Sequence, residues 1–380
     1  MTNLRKFTIA YILYGSFWWG AIGPLYFLWR GLSMEELYAL VAVYSLAVVL
    51  AEFPTGVLAD RFSRKWSVIF GVFLLSIGNF LTALPGDFHY YLTIKIFMAI
   101  GTGMVSGSDV ALLYGISDNF KRDYAKLKKY NFFFLFFFIN AGTLAYRFLP
   151  WLPFVLSALS MLVAVFFYWG IKVKEREINK EEGDDVVNDN VYKLAIKSIR
   201  EISKKKILRK IVILSTFFTG AFLNIKWFMA PLLDNNGIAV EEVGFIMSLG
   251  MVIMGGSAWI KEREIYWGLK YDILILLVVF GLLGFVNGRF MLLVLFALLF
   301  FARASFKIEI ANMINKHIHK KIRSSVLSLE NLISRFLAGL FIFFAGYIVG
   351  LWSFQGFSVF AVAWLLVAVS YFYFNKTKRC

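Results

Sequence analysis

The chain has 380 residues, 60% hydrophobic and 17% charged, with 40 Lys and Arg against 24 Asp and Glu for a formal charge of +16. That balance lies far outside the usage of water-soluble domains and excludes an ordinary soluble globular protein. The apolar runs are continuous rather than alternating ten-residue segments, which excludes a transmembrane β-barrel.

A helix that crosses a bilayer needs about 20 largely apolar residues. Taken in chain order, such stretches fall near 7–29, 36–58, 66–85, 90–117, 131–149, 151–171, 209–232, 240–260, 270–286, 288–312, 324–347 and 351–374, about twelve in all. The sequence therefore predicts an all-α polytopic membrane protein. The first stretch has a short basic start and no small-residue cleavage site, so it reads as a retained helix rather than a signal peptide.

The positive charge is not one patch. It sits in alternate connections: Arg5 and Lys6; Arg61, Arg64 and Lys65; Lys121 to Lys129; Lys172 to Lys210; Lys261 to Lys270; Lys316 to Arg323; and Lys376 to Arg379. The intervening connections, such as Gly86–Tyr90, Phe148–Pro153 and Asp234–Glu242, carry almost none. Positive charge retained on the cytoplasmic side gives this alternation. It predicts a multi-pass protein of the plasma (inner) membrane with both termini cytoplasmic, basic loops against anionic lipid headgroups, and no nucleic-acid partner. The single cysteine, Cys380, excludes an intrachain disulfide, and the terminal T-K-R-C is not a prenylation box.

The longest polar stretch, Lys172 to Lys210, lies near the middle. Its acidic first part reads as a flexible linker. In its second part Val191, Ala195, Ile199 and Ile202 recur at helical spacing, with Lys193, Lys197, Arg200 and Lys204 on other faces. That pattern suits either an amphipathic helix on the membrane surface or a solvated linker helix. The expected organisation is an N-terminal six-helix half over 1–171, a cytoplasmic linker over 172–208 and a C-terminal six-helix half over 209–380.

Residues Gly56 to Lys65 read G-V-L-A-D-R-F-S-R-K between two apolar stretches, which predicts a short charged turn. The segment resembles the loop after the second helix of major facilitator superfamily transporters, roughly G-x-L-A-D-R-x-G-R-K. It matches at Gly56, Leu58, Ala59, Asp60, Arg61, Arg64 and Lys65 and departs at Ser63, where the family usually has glycine. The resemblance implies two six-helix halves built of inverted three-helix repeats. It also implies an inner gate in which Asp60 and Arg64 meet an acid of the fourth span, with Asp109 as that acid and Asp118 as its rival. A second copy of the signature is expected after the eighth span, where Gly256 to Leu269 keeps a glycine and basic residues but loses the aspartate–arginine spacing.

Ionisable residues inside spans are costly and mark cavities or partner helices. Glu52, Gly56 and Asp60 are spaced by four and share one helical stripe, with Pro54 set to bend the helix. Glu52, Asp109, Glu309 and Glu330 are the candidates for proton coupling. Lys95 to Gly103, K-I-F-M-A-I-G-T-G, resembles the family's R-x-x-x-G-x-G-x-G motif with lysine for arginine, and Lys95 reads equally as a snorkelling residue at the outer interface. The fifth span lacks the family's antiporter motif and keeps only Gly142 of its small-residue pattern. The candidate substrate cavity comprises Asn140, Arg303, Asn331, Arg335 and Lys226. Asn140 and Lys226 also admit plainer readings, as an interhelical hydrogen bond and an interfacial lysine. Arg335 lies about 18 Å along its helix from Arg323 and requires an acidic partner, Glu330 or Glu309, or an anionic ligand.

No H-E-x-x-H, serine elbow or nucleotide-binding loop is present, which argues against an intramembrane enzyme, and no pore repeat suggests a channel. His317 and His319 lack acids or cysteines at ligand spacing, so neither a metal nor a cofactor is expected. The expected function is secondary active transport of a small solute by alternating access, as a monomer, with proton-coupled efflux of a small amphipathic compound as the leading form. An anionic solute or lipid, and a non-transporting receptor or scaffold of the same fold, remain the alternatives.

Overall fold

The computed structural model describes residues 1–172, 199–200, 202–223, 225–262, 268–318 and 323–374. Among these no strand occurs. The linker residues 173–198, with Val191 and Ala195 of the expected amphipathic helix, lie outside the described set, as do 263–267 of the expected second signature.

The helices are α1 (Asn3–Tyr14), α2 (Gly23–Trp29), α3 (Met34–Phe62), α4 (Arg64–Ala83), α5 (Phe88–Val105), α6 (Ser108–Ile116), α7 (Phe120–Phe148) and α8 (Leu152–Trp169). They continue with α9 (Lys206–Leu223), α10 (Ile225–Asn235), α11 (Val240–Glu262), α12 (Leu269–Leu282), α13 (Arg289–His317) and α14 (Arg323–Phe374). Several start at polar caps. Ser33 accepts from the Glu36 N–H at 3.2 Å while its own N–H donates to Glu36 Oε2 at 2.9 Å, a reciprocal cap for α3. Asp87 caps α5 through the Tyr90 N–H at 2.8 Å. Such caps are worth about 0.5–2 kcal/mol each.

Among the described residues, seven helices are long and apolar enough to cross a membrane, or eight if the α9–α10 pair, bent by 41°, is one crossing. The expected count of about twelve is not reached on length and composition alone, for local reasons. The first stretch is split into α1 and α2. The apolar part of α7 carries Asn131, Asn140 and Arg147. The ninth stretch forms a helix of only 14 residues. The last two stretches are two helical segments, 323–351 and 354–374, taken together as α14, and the second folds back on the first, with Phe341 stacked on Phe360 at 5.4 Å. Non-helical backbone at Trp352 and at Ser353, with φ 61, interrupts it.

The chain forms two compact units. Unit 1 comprises Met1–Ile178 with Lys226–Ser248, and unit 2 the remainder. In unit 1, α5 packs on α3 and α4, and α8 on α4 and α1. The α4–α5 contact is close: a Cβ on Gly71 would meet the Gly101 carbonyl oxygen at 2.7 Å, and Gly103 faces Ala51 and Thr55 of α3. The glycines of the K-I-F-M-A-I-G-T-G motif thus allow α5 to touch two helices at once. In unit 2, α9 packs on α14, and α12 on α13 and α14.

The two units repeat one device. Lys6 of α1 donates to the Gly170 carbonyl at the end of α8 at 2.6 Å, and Lys210 of α9 donates to the Phe372 carbonyl near the end of α14 at 2.7 Å. The lysines are 204 positions apart and their acceptors 202. Each cation meets the negative pole of the helix it caps.

Candidate functional site

The signature segment is not a turn. Helix α3 continues through Phe62 and α4 begins at Arg64, with only Ser63, at φ 172 and ψ 133, extended between them. A residue in extended backbone needs no glycine, which is why serine serves there. Pro54 sits inside α3, where its missing N–H removes one backbone bond. The side chains of Asp60 and Arg61, and the surroundings of Gly56, lie outside the described residues. Arg64 is exposed. The Lys65 ammonium donates to the carbonyls of Trp169 at 2.8 Å and Ile171 at 2.7 Å, so beside Lys6 it caps the end of α8.

Asp109 lies in the first turn of α6, its Oδ1 accepting from the Val110 N–H at 2.7 Å, and Asp118 is exposed before α7. An acid that sequence reasoning passed over is buried instead. Asp123 accepts from Ser117 Oγ at 2.8 Å and from Arg122 Nε at 3.1 Å. The Ser117 hydrogen bond, helped by Arg122, holds its carboxyl below the usual aspartate value.

Glu52 Oε1 accepts from Ser106 Oγ at 2.9 Å, at the break between α5 and α6 where Gly107 takes φ 79. This places a candidate coupling carboxyl beside interrupted helix, the kind of backbone that membrane proteins tolerate inside protein or along a cavity.

Lys95 does not snorkel. It is 5% exposed, and its ammonium lies 5.0 Å from the ring of Phe27, 5.6 Å from that of Trp19 and 5.9 Å from that of Tyr44. Lys226, exposed, lies 5.4 Å from the same Trp19 ring and 5.5 Å from that of Trp227. A shared ring puts the two ammonium groups within about 11 Å of each other. Trp19 is itself fixed, donating its indole N–H to Asn79 Oδ1 at 2.8 Å and stacking on Phe154 at 5.7 Å and 6°. Tyr44 shares a 2.8 Å hydrogen bond with Thr102. Ring contacts are worth about 0.5–2 kcal/mol each, whereas the desolvation of a buried ion costs several kcal/mol.

Also within unit 1, α7 and the start of α11 are joined along their length. Arg147 pairs with Glu241 at 2.9 Å, Thr143 fills the space a side chain at Gly244 would need, and Asn140 donates to Ser248 Oγ at 2.9 Å. Asn140 therefore makes an interhelical hydrogen bond.

In unit 2, Glu330 is buried, and its Oε1 accepts from Ser215 Oγ at 2.6 Å and Ser334 Oγ at 3.2 Å. Glu309 is ion-paired with the buried ammonium of Lys261 at 2.6 Å. Arg335 is half-buried and Asn331 exposed. Arg303 rests its guanidinium 5.6 Å from the Phe222 ring. Asp272, fully buried and not singled out in the sequence, accepts from Ser305 Oγ at 2.6 Å. Its signal was available, since an aspartate in an apolar stretch is always costly.

A family model described as the Major Facilitator Superfamily matches residues 7–268. The chain belongs to that superfamily. The structure of the nucleoside transporter NupG shares the superfamily fold with it at a TM-score of 0.81 and 15% identity, covering 100% of both chains. An uncharacterised MFS-type transporter, YxaM of Bacillus subtilis, is 23% identical over 228 residues, 60% of this chain and 57% of the relative. The match therefore spans under two thirds of that relative's length. Quinolone resistance protein NorA of Staphylococcus aureus is 27% identical over 119 residues, 31% of this chain and 29% of NorA. This member of a transporter superfamily is thus a multi-pass membrane protein, and transporters are not an enzyme class.

Proposed function

We propose that the protein is a secondary active transporter that exports a small amphipathic compound across the plasma membrane by alternating access, with proton exchange at Glu330. Superfamily membership supports transport, and the partial likeness to a quinolone resistance protein supports export. The observation that carries proton exchange is the setting of Glu330: a buried carboxyl in an apolar helix whose partners are the hydroxyls of Ser215 and Ser334. A hydroxyl donates to a carboxylate and accepts from a carboxylic acid, so both protonation states are accommodated. Glu52, bonded to Ser106, and Asp109 are the second-rank coupling groups, whereas Glu309 already balances Lys261. The alternation of basic connections supports cytoplasmic termini.

The test is solute-driven proton movement in proteoliposomes holding a trapped pH dye, across a panel of amphipathic solutes. Wild type should move protons with at least one solute, and E330Q should lose that coupling at least tenfold. Proton movement unchanged in E330Q removes the assignment.

A further inference from the structure

We infer that the ring-walled lysines Lys95 and Lys226 bind a small organic anion with a planar aromatic body, and that this anion is the exported solute. The inference rests on the transporter reading above and narrows it to a substrate class.

Charge is the first ground. Lys95 is 5% exposed in an apolar helix, and the described groups around its ammonium are the faces of Trp19, Phe27 and Tyr44. Lys226 sits on the same Trp19 ring. Two cations near one ring repel each other, and an anion beside them removes that repulsion; for the buried Lys95 it also supplies charge that ring quadrupoles replace only in part.

Shape and access are the second ground. The rings offer apolar faces rather than a fork of donors, which suits an organic anion better than a compact hydrated ion such as phosphate. Trp19 is held by Asn79 and by stacking on Phe154, so the face is set before the ligand arrives. Lys226 is exposed and Lys95 is buried. An incoming carboxylate therefore meets Lys226 first and settles toward Lys95 as its ring packs on the aromatic wall. Neither lysine belongs to the carboxyl set argued to move protons.

The test is isothermal titration of the full chain in detergent with 2-naphthoate, with 2-naphthamide as the neutral isostere and acetate as the anion without a ring. Naphthoate should bind, and the amide and acetate should bind at least tenfold more weakly. K95Q should weaken naphthoate at least tenfold, and K226Q, an exposed change that spares the buried packing, should do the same. Naphthamide binding as tightly as naphthoate, or naphthoate binding equally to wild type and K226Q, overturns the inference. Proteoliposome flux separates the two readings. Failed naphthoate binding with proton-linked flux of other solutes removes only the substrate class. Lysine-dependent binding without flux of any solute supports the site and removes the transporter reading.

Discussion

At the scale of single residues, several described charges at the ends of the apolar stretches have named partners. Lys65 caps α8, Lys261 neutralises Glu309, and Asp123 is held by Ser117 and Arg122. The last of these has a pH consequence. A carboxyl whose folded-state pKa is depressed stabilises the fold above its unfolded value of about 3.9, and that contribution is lost as pH falls through the folded value. Thermal unfolding in detergent between pH 7 and 3 should show wild type losing stability toward the acid end more steeply than D123N. Equal slopes would mean that Asp123 contributes nothing through ionisation. The sequence marked the motif lysine at position 95 but not its surroundings, because Trp19, Phe27 and Tyr44 come from the α1–α2 link, α2 and α3. No local pattern records that convergence.

At the scale of elements, the glycine retained in the fifth stretch acquires a steric reason. A Cβ on Gly142 would collide with the carbonyl oxygen of Trp18, a backbone atom that cannot swing aside. G142A should therefore cost about 1–3 kcal/mol through overpacking. G115A, where a Cβ meets nothing within 4 Å, should be neutral or stabilising by up to about 1 kcal/mol. Melting curves of the two variants side by side decide the matter, and equal shifts would sink the close-approach argument. The helix breaks were less legible. Periodicity showed continuous apolar runs at 7–29 and 209–232, while the structure interrupts the first between α1 and α2 and bends the second by 41°. Hydrophobicity selects what enters the bilayer and is nearly blind to where a helix within it is broken.

At the scale of the molecule, the two lysine-to-carbonyl bonds, Lys6 to Gly170 and Lys210 to Phe372, show an internal correspondence that residue identity does not display. Unit 1 also takes in Lys226–Ser248, tied to α7 through Arg147–Glu241 and Asn140–Ser248. The proposed orientation is testable through Cys380, the only cysteine. A membrane-impermeant maleimide should leave Cys380 unlabelled in intact cells and label it once the membrane is permeabilised. Labelling in intact cells would place the C-terminus outside and refute the cytoplasmic assignment.

The sequence by itself determined the solvent and the family. Composition and run length dictate burial in hydrocarbon, since about 20 apolar residues are what a bilayer crossing demands. The local motif at Gly56–Lys65 points to the superfamily because its residues are contiguous. Only the tertiary structure decided what each buried charge does. Trp169, Glu309 and Ser215, which meet Lys65, Lys261 and Glu330, lie 104, 48 and 115 positions away, and a pairing set by packing at that range leaves no periodicity to read.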